Sequence, residues 1–335
     1  MTFGVAIIGA GLIGKKRAAA LREFSNCRLR VVADINQTAA ESLSRETGAQ
    51  PETDWQHVVS REDVDIVVVA TVNHVLKPIS IAAMENHKHV LCEKPLGRDA
   101  EESQAMLKVA HDAGVVLKTG FNHRHHPAIA KAKELQQQGR IGEIMFLRCR
   151  YGHGGRPGYE KEWRASRDVC GGGEMLDQGV HVVDLFRWFA GDFTEAFGWV
   201  PTCFWKMEVE DNAFALFRTN GGVTASMHTS WTQWKNLFSF EVFGKDGYLI
   251  VEGLGGSYGK ETLRIGSRKP EGGAPEEETI VYDGPDASWQ VEWKEFLSAI
   301  QENREPVGNG WDGLQANRMI EAIYRSAREG RPVTI

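Results

Sequence analysis

Asp177 and His181 stand four residues apart in a stretch expected to be helical, a spacing that puts both side chains on one face. An imidazole, whose unperturbed pKa is near ~6.5, can take or return a proton at neutral pH. A carboxylate beside it can orient the ring or hold a hydroxyl. The same two residues could also be a satisfied polar pair capping a helix, and spacing alone does not choose between the readings. Three glycines, Gly171 to Gly173, precede the pair and permit an unusual entry into the helix. Lys94, between Glu93 and Pro95, follows an expected strand whose end lies at the carboxyl edge of a parallel sheet, where ligands of open α/β sheets bind. An ammonium there stabilises negative charge developing on an oxygen.

A second constellation opens the chain. Gly9-Ala10-Gly11-Leu12-Ile13-Gly14 follows an apolar run and leads into a helical pattern, with Asp34 about 20 residues further on at the end of a second run. Gly9 allows the tight turn, Gly11 lets backbone approach a pyrophosphate, and Gly14 lets helix and strand pack closely. The helix start offers unpaired N–H groups and partial positive charge to phosphates. This combination is read as a dinucleotide site formed by Gly9, Gly11, Leu12, Ile13, Gly14 and Asp34. Asp34 can accept from a free ribose 2′-hydroxyl and would repel a 2′-phosphate, which favours NAD, while Lys15, Lys16 and Arg17 nearby leave NADP open. Thr71 and Asn73, just after the run Ile66 to Ala70, are placed to line the same cleft.

The elements that must position these residues fall into two textures. Up to about Gly120, short β-branched runs (Val5 to Ile8, Leu29 to Ala33, Ile66 to Ala70, His89 to Cys92, Val115 to Lys118) alternate with helical patterns such as Lys16 to Phe24 and Glu101 to Ala113. This is the signature of βαβ units and a Rossmann-type parallel sheet. After His123, runs at Ile144 to Arg150, Ala213 to Arg218, Val223 to Trp231 and Phe238 to Phe243 follow one another without long helices, as in a large open antiparallel or mixed sheet of an α+β domain. Gly272-Gly273-Ala274-Pro275 and the three glutamates after it are expected to form an exposed loop or hairpin. Helices are expected at Ser288 to Glu302 and Leu314 to Arg328. The expected division is a dinucleotide-binding domain over residues 1–122 and a substrate-binding and oligomerisation domain over 123–335, with the C-terminal helix a candidate to pack back on the first.

Net charge of −6 without a basic run argues against nucleic acid as a partner. No apolar stretch approaches the ~20 residues of a membrane span. The five cysteines lack a Cys-x-x-Cys pair and read as reduced thiols of a cytoplasmic protein. His123, His125 and His126 are clustered, but neighbours in an extended segment point to opposite sides and no Cys or acidic ligand has zinc-site spacing, so no metal is expected. His125 is the candidate among them to reach a substrate hydroxyl. Trp199, Trp205, Trp231 and Trp234 lie on or beside strands and exceed what one buried sheet face requires, so a homodimer or homotetramer is expected through the open sheet.

The ordered series of motifs resembles the Gfo/Idh/MocA family, which includes glucose-fructose oxidoreductase and inositol dehydrogenases. It comprises the N-terminal glycine turn, Glu93-Lys94-Pro95, Gly120-Phe121-Asn122 with Arg124 and Pro127, Gly171 to Gly173 followed by Asp177, Gly179, His181 and Asp184, and a closing Ile320, Ala322, Ile323, Ser326 and Gly330. The resemblance runs nearly end to end. It implies an active site in a cleft between the two domains, hydride exchange between NAD or NADP and a carbinol carbon of a sugar, sugar derivative or cyclitol, and association through the open sheet. It further implies that His181 is the acid/base, that Asp177 binds substrate hydroxyls or tunes the imidazole, and that Lys94 contacts substrate and cofactor. Glu93 and Asn122 fall by the same motifs among the cofactor contacts, and Arg124, Trp163 and Arg164 among those directed toward substrate. Asp184 reads as a helix anchor. Two other family behaviours compete: a glycosidase or eliminase that oxidises its sugar transiently, and a dinucleotide-binding regulator without turnover, against which the retained Lys94, Asp177 and His181 argue.

Overall fold

Ile66, Val67, Val68 and Val69 are all fully buried, as in a strand covered on both faces. That strand is central to the first of two sheets in the computed structural model, which describes residues 2–335. The first sheet contains β1 (Phe3–Ile8), β2 (Cys27–Ala33), β3 (Gln50–Glu52), β4 (Ile66–Val69), β5 (His89–Cys92) and β6 (Leu117–Thr119), all parallel, in the order β3-β2-β1-β4-β5-β6. Helices α1 (Leu12–Leu21), α2 (Gln37–Thr47), α3 (Trp55–Val59), α4 (Leu76–Glu85) and α5 (Ala100–Ala113) connect the strands.

Strand alternation sends side chains to two cores. Ala6, Ile8, Val67 and Val69 meet Leu76, Ile79 and Met84 of α4 and Met106 of α5. Val5, Ile7, Ile66 and Val68 meet Ala18 and Leu21 of α1, with Trp293, Phe296 and Leu297 of the helix Ser288–Glu302. Contacts accordingly divide the chain into a first unit of the residues up to Phe121 with Trp289–Asn317, and a second of Asn122–Ser288 with Arg318–Ile335. A single cut after residue 122 does not describe the stretch 289–317.

The second unit is built on α6 (Pro127–Gln137), β7 (Ile144–Gly152), the short α7 (Arg167–Cys170) and α8 (Glu174–Asp177), α9 (Gly179–Ala190), and β8 (Glu195–Trp199), β9 (Asn212–Arg218), β10 (Thr224–Ser230), β11 (Leu237–Gly244), β12 (Gly247–Glu252), β13 (Glu261–Ser267), β14 (Glu276–Tyr282) and β15 (Val333–Thr334). The nine strands run β14-β13-β12-β11-β7-β10-β9-β8-β15, with β7 and β10 parallel and the other neighbours antiparallel. Glu276 to Glu278, expected in an exposed hairpin or loop, begin β14, which pairs antiparallel with β13 as a hairpin. An edge strand with one side open to water accommodates such charges.

Trp231 is wholly buried against Tyr159, Cys170 and Val209, and Trp205 is packed against that cluster, so neither belongs to an exposed aromatic face. Trp199 and Trp234 do lie exposed. No helix among the described residues is long and apolar enough to cross a membrane.

Candidate active site

In the first unit, the strand order reverses between β1 and β4, and the crevice beyond their carboxyl ends is where open α/β sheets bind ligands. Gly9 follows β1 with φ of 106°, and a Cβ there would collide with the backbone of Ala70 and lie 3.1 Å from Thr71 N. A Cβ on Gly14 would strike the Gly9 carbonyl, while one on Gly11 would point into open space. The loop therefore brings Gly9, Gly14 and the end of β4 together and leaves a cradle over Gly11. Gly11 caps α1 with no side-chain hydrogen bond, which suits backbone N–H groups receiving a phosphate. Leu12 is exposed beside Ile13 in this first turn, and Asn73 is buried in the short helical turn after Thr71.

Asp34 is fixed at the end of β2. Its carboxylate accepts from Ala10 N and Asn36 N, each at 2.8 Å, and each oxygen retains a lone pair for a ribose hydroxyl. The chemistry of this donor and acceptor set fits the adenosine end of a nicotinamide dinucleotide.

Arg17 does not remain available to phosphate. It is buried on the inward face of α1, where it reaches Glu93 and Glu292, both at 2.5 Å, and lies over the Trp289 ring at 4.6 Å. Lys118, equally buried, sits 3.4 Å from Glu292. Glu93, which its motif places among the cofactor contacts, is the inner partner of this network. Burial pushes its carboxyl up, against the pull of Arg17. The ion pair holds the strand end from which half-buried Lys94 emerges, joined to Pro95 by a cis peptide.

In the second unit, Gly171 takes a φ of 85°, and the two glycines after it are demanded by close approach. A Cβ on Gly172 would collide with the Tyr324 hydroxyl, and one on Gly173 with the Glu210 backbone. The buried Glu210 carboxylate accepts from Gly173 N at 3.0 Å, Met175 N at 3.1 Å and Tyr324 Oη at 2.7 Å, so it clamps the entry to α8. The expected single helix is interrupted at Gln178. Asp177 closes α8, and His181 lies in the first turn of α9, where its N–H donates to Gln178 O at 3.1 Å.

Asp177 faces Arg164 with Nε to Oδ2 at 3.5 Å, and the Arg164 guanidinium lies over Trp163 at 4.3 Å. Trp163 packs beside the Tyr159, Cys170, Val209 and Trp231 cluster. His181 is buried, and its ring stacks on His123 at 3.7 Å with planes 16° apart. His123 therefore joins the site. The histidine segment is a helical turn, Asn122–His125, with all four residues buried, rather than an extended strand with alternating directions.

Arg124, expected toward substrate, grips Asp184 through two bonds, Nε to Oδ2 at 2.9 Å and a second at 2.5 Å, and both side chains are buried. His125 is buried in the same turn, and His126 meets Glu261 at 3.2 Å. Sequence reasoning also passed over Tyr151, Gln178 and Tyr258. The Tyr151 ring lies edge-on to both His123 and Tyr258, at 5.3 and 5.0 Å, and Gln178 Nε2 donates to the Tyr258 hydroxyl at 2.9 Å. Burial pushes the Tyr258 phenol up to about 12, so it stays protonated and can donate. The signal that could have found Tyr258 is the loop Gly253 to Gly259, whose four glycines all take positive φ.

Residues 3–121 match an oxidoreductase family with an NAD-binding Rossmann fold, and residues 129–250 match the Gfo/Idh/MocA C-terminal domain. The chain is 27% identical to levoglucosan dehydrogenase of Pseudarthrobacter phenanthrenivorans, over 96% of this chain and 95% of that protein. It is 30% identical to 1,5-anhydro-D-fructose reductase of Ensifer adhaerens, over 97% of this chain and 98% of that one. Among solved structures, a levoglucosan dehydrogenase in complex with NADH and levoglucosan superposes with a TM-score of 0.92 at 25% identity, covering 100% of this chain and 99% of the other.

Proposed function

We propose, from the premise that the chain belongs to the Gfo/Idh/MocA family of NAD-binding oxidoreductases, that it interconverts a secondary alcohol and a ketone on a sugar, sugar derivative or cyclitol, with NAD preferred over NADP. The observation that carries the reading is the buried His181 imidazole, stacked on His123 in the first turn of α9, directly after the break that follows Asp177 at the end of α8. NAD, when bound, supplies the hydride acceptor. His181 takes the hydroxyl proton as the carbon is oxidised and returns it in reduction. Asp177, oriented by Arg164, accepts from a neighbouring hydroxyl. Lys94 stabilises the negative charge that develops on the reacting oxygen. The substrate relatives support, a levoglucosan- or anhydrosugar-like ring, sets the first compounds to try.

The test is a steady-state panel of sugars, anhydrosugars and cyclitols with NAD and with NADP, following reduced nucleotide. Turnover on at least one compound with NAD is the expected result. Binding of dinucleotide with no turnover across the panel would favour a regulator. Asp34→Ser together with Ile35→Arg removes the carboxylate and offers a cation from a position that is 92% exposed, so the NADP to NAD ratio of kcat/KM should rise ~10- to 100-fold, as one charge-assisted bond would give. An unchanged ratio would show that Asp34 does not reach the ribose.

We extend the reading to a cytoplasmic homo-oligomer. The outward face of the second sheet carries Phe197, Trp199, Phe214 and Leu216 on adjoining strands, with Trp199 57% and Leu216 47% exposed. Such a strip on an open sheet is an association surface, and face-to-face packing of two copies would cover it. Light scattering at micromolar concentration should give a multiple of the chain mass, and the mass of one chain would overturn the assembly.

A further inference from the structure

His123 reaches His181 at the end of a hydrogen-bond chain whose direction is forced. Ser288 Oγ donates to Asp286 Oδ1 at 2.6 Å, because an ionised carboxylate only accepts. With its proton committed, Ser288 Oγ accepts from Asn122 Nδ2 at 3.1 Å. The Asn122 carbonyl then faces His123 Nδ1 at 3.2 Å and can only accept, so Nδ1 carries the proton. The backbone N–H of Ser288 also donates to Asp286 at 3.0 Å, which fixes the far end of the chain. A residue with the appearance of a cofactor contact, Asn122, thus has both ends of its amide engaged inside the second unit.

We propose that His123, held as the neutral Nδ1–H tautomer by Asn122, Ser288 and Asp286, is the positioning residue of His181: it fixes the His181 ring by stacking and leaves the positive charge of the pair to His181. The inference rests on the reading of His181 as acid/base for its catalytic meaning. Two imidazolium ions with centroids 3.7 Å apart would repel by the equivalent of roughly a thousand-fold in proton affinity at an effective dielectric near ~20, so the pair holds one proton at a time. The ring that is neutral decides where that proton resides. Titratable groups beside His123 include His126 at 5.7 Å and Tyr151 of β7 at 5.3 Å. Tyr151 is kept protonated by burial, with Tyr258, Glu174 and Asp177 adding to the effect, and His126 is held by Glu261 at 3.2 Å with Asp286 at 3.9 Å.

Histidine-labelled protein read by NMR tests this without turnover. The nitrogen shifts of His123 should report the Nδ1–H tautomer, and Ser288→Ala, which cuts the chain, should give a mixture of tautomers. Asn122→Asp places a carboxylate on Nδ1, so His123 becomes the ring that protonates first, and the His181 titration should move to lower pH by at least tenfold in proton affinity. The rising limb of the oxidation profile should move with it. His123→Ala should lower kcat ~10-fold with KM for NAD unchanged, and His123→Phe, which restores a stacking ring, should recover most of the loss. An Nε2–H tautomer in the wild type overturns the proposal, as does a His181 titration identical in wild type and in a folded Asn122→Asp. If Asn122→Asp does not fold, the wild-type tautomer and Ser288→Ala decide. A His181→Ala enzyme that keeps its turnover would instead refute the acid/base reading, and the NMR result would stand apart from it.

Discussion

Replacing His181 by alanine should lower kcat for alcohol oxidation by ~100- to 10,000-fold, the usual contribution of general-base assistance. NAD affinity should hardly change, because the glycine loop, Asp34 and the end of β4 lie in the first unit and His181 in the second. The pH profile of oxidation should show a rising limb that reports loss of the His181 proton, and that limb should vanish in the variant. Lys94→Ala should behave differently, losing kcat while also weakening substrate or cofactor binding. Steady-state kinetics across pH separates the two. Wild-type turnover with an unchanged limb in His181→Ala would hand the proton-transfer role to another group.

The second large effect is expected on stability. Arg17, Lys118, Glu93 and Glu292 form a buried network of two cations and two carboxylates. Arg17→Met removes one cation and leaves two carboxylates to share Lys118, an uncompensated buried charge that should cost ~3–5 kcal/mol. Adding Glu93→Gln removes the surplus charge and leaves the Lys118–Glu292 pair intact, so the double variant should recover part of the loss. Urea denaturation of the four proteins in this cycle measures the coupling. A single variant as stable as the wild type would show that the network does not hold the first unit together. Because Glu93 immediately precedes Lys94, activity in Arg17→Met should fall further than the folded fraction does.

These two cases also mark where the sequence was legible. The strand Ile66–Val69 could be read because burial on both faces leaves an uninterrupted apolar run, and the dinucleotide loop because Gly9 and Gly14 answer close backbone approaches while Gly11 keeps the cradle open. Arg17 could not be read in the same way. Beside Lys15 and Lys16 it looked like a cation for phosphate, and only the packing of α1 against the helix Ser288–Glu302 turns it inward to Glu292. Asp177 and His181 were visible as a pair, yet the entry to α8 is set by the Glu210 clamp on Gly173 and Met175, a contact between residues distant in sequence. The stacking of His123 on His181 has the same origin: the cluster of histidines was apparent, and which ring meets α9 is settled by tertiary packing. Local patterns report on what neighbours along the chain must do, and the second unit's site is made by residues that are not neighbours.

The most direct test of the central claim is the fate of the hydrogen on the carbinol carbon. With a polyol deuterated at the oxidised carbon, NAD and the purified protein, deuterium should appear on the nicotinamide in equal amount to the ketone formed, and kcat/KM should be lower than for the unlabelled compound. Release of product with no net deuterated NADH would contradict the account and assign the chain to chemistry in which oxidation is only transient.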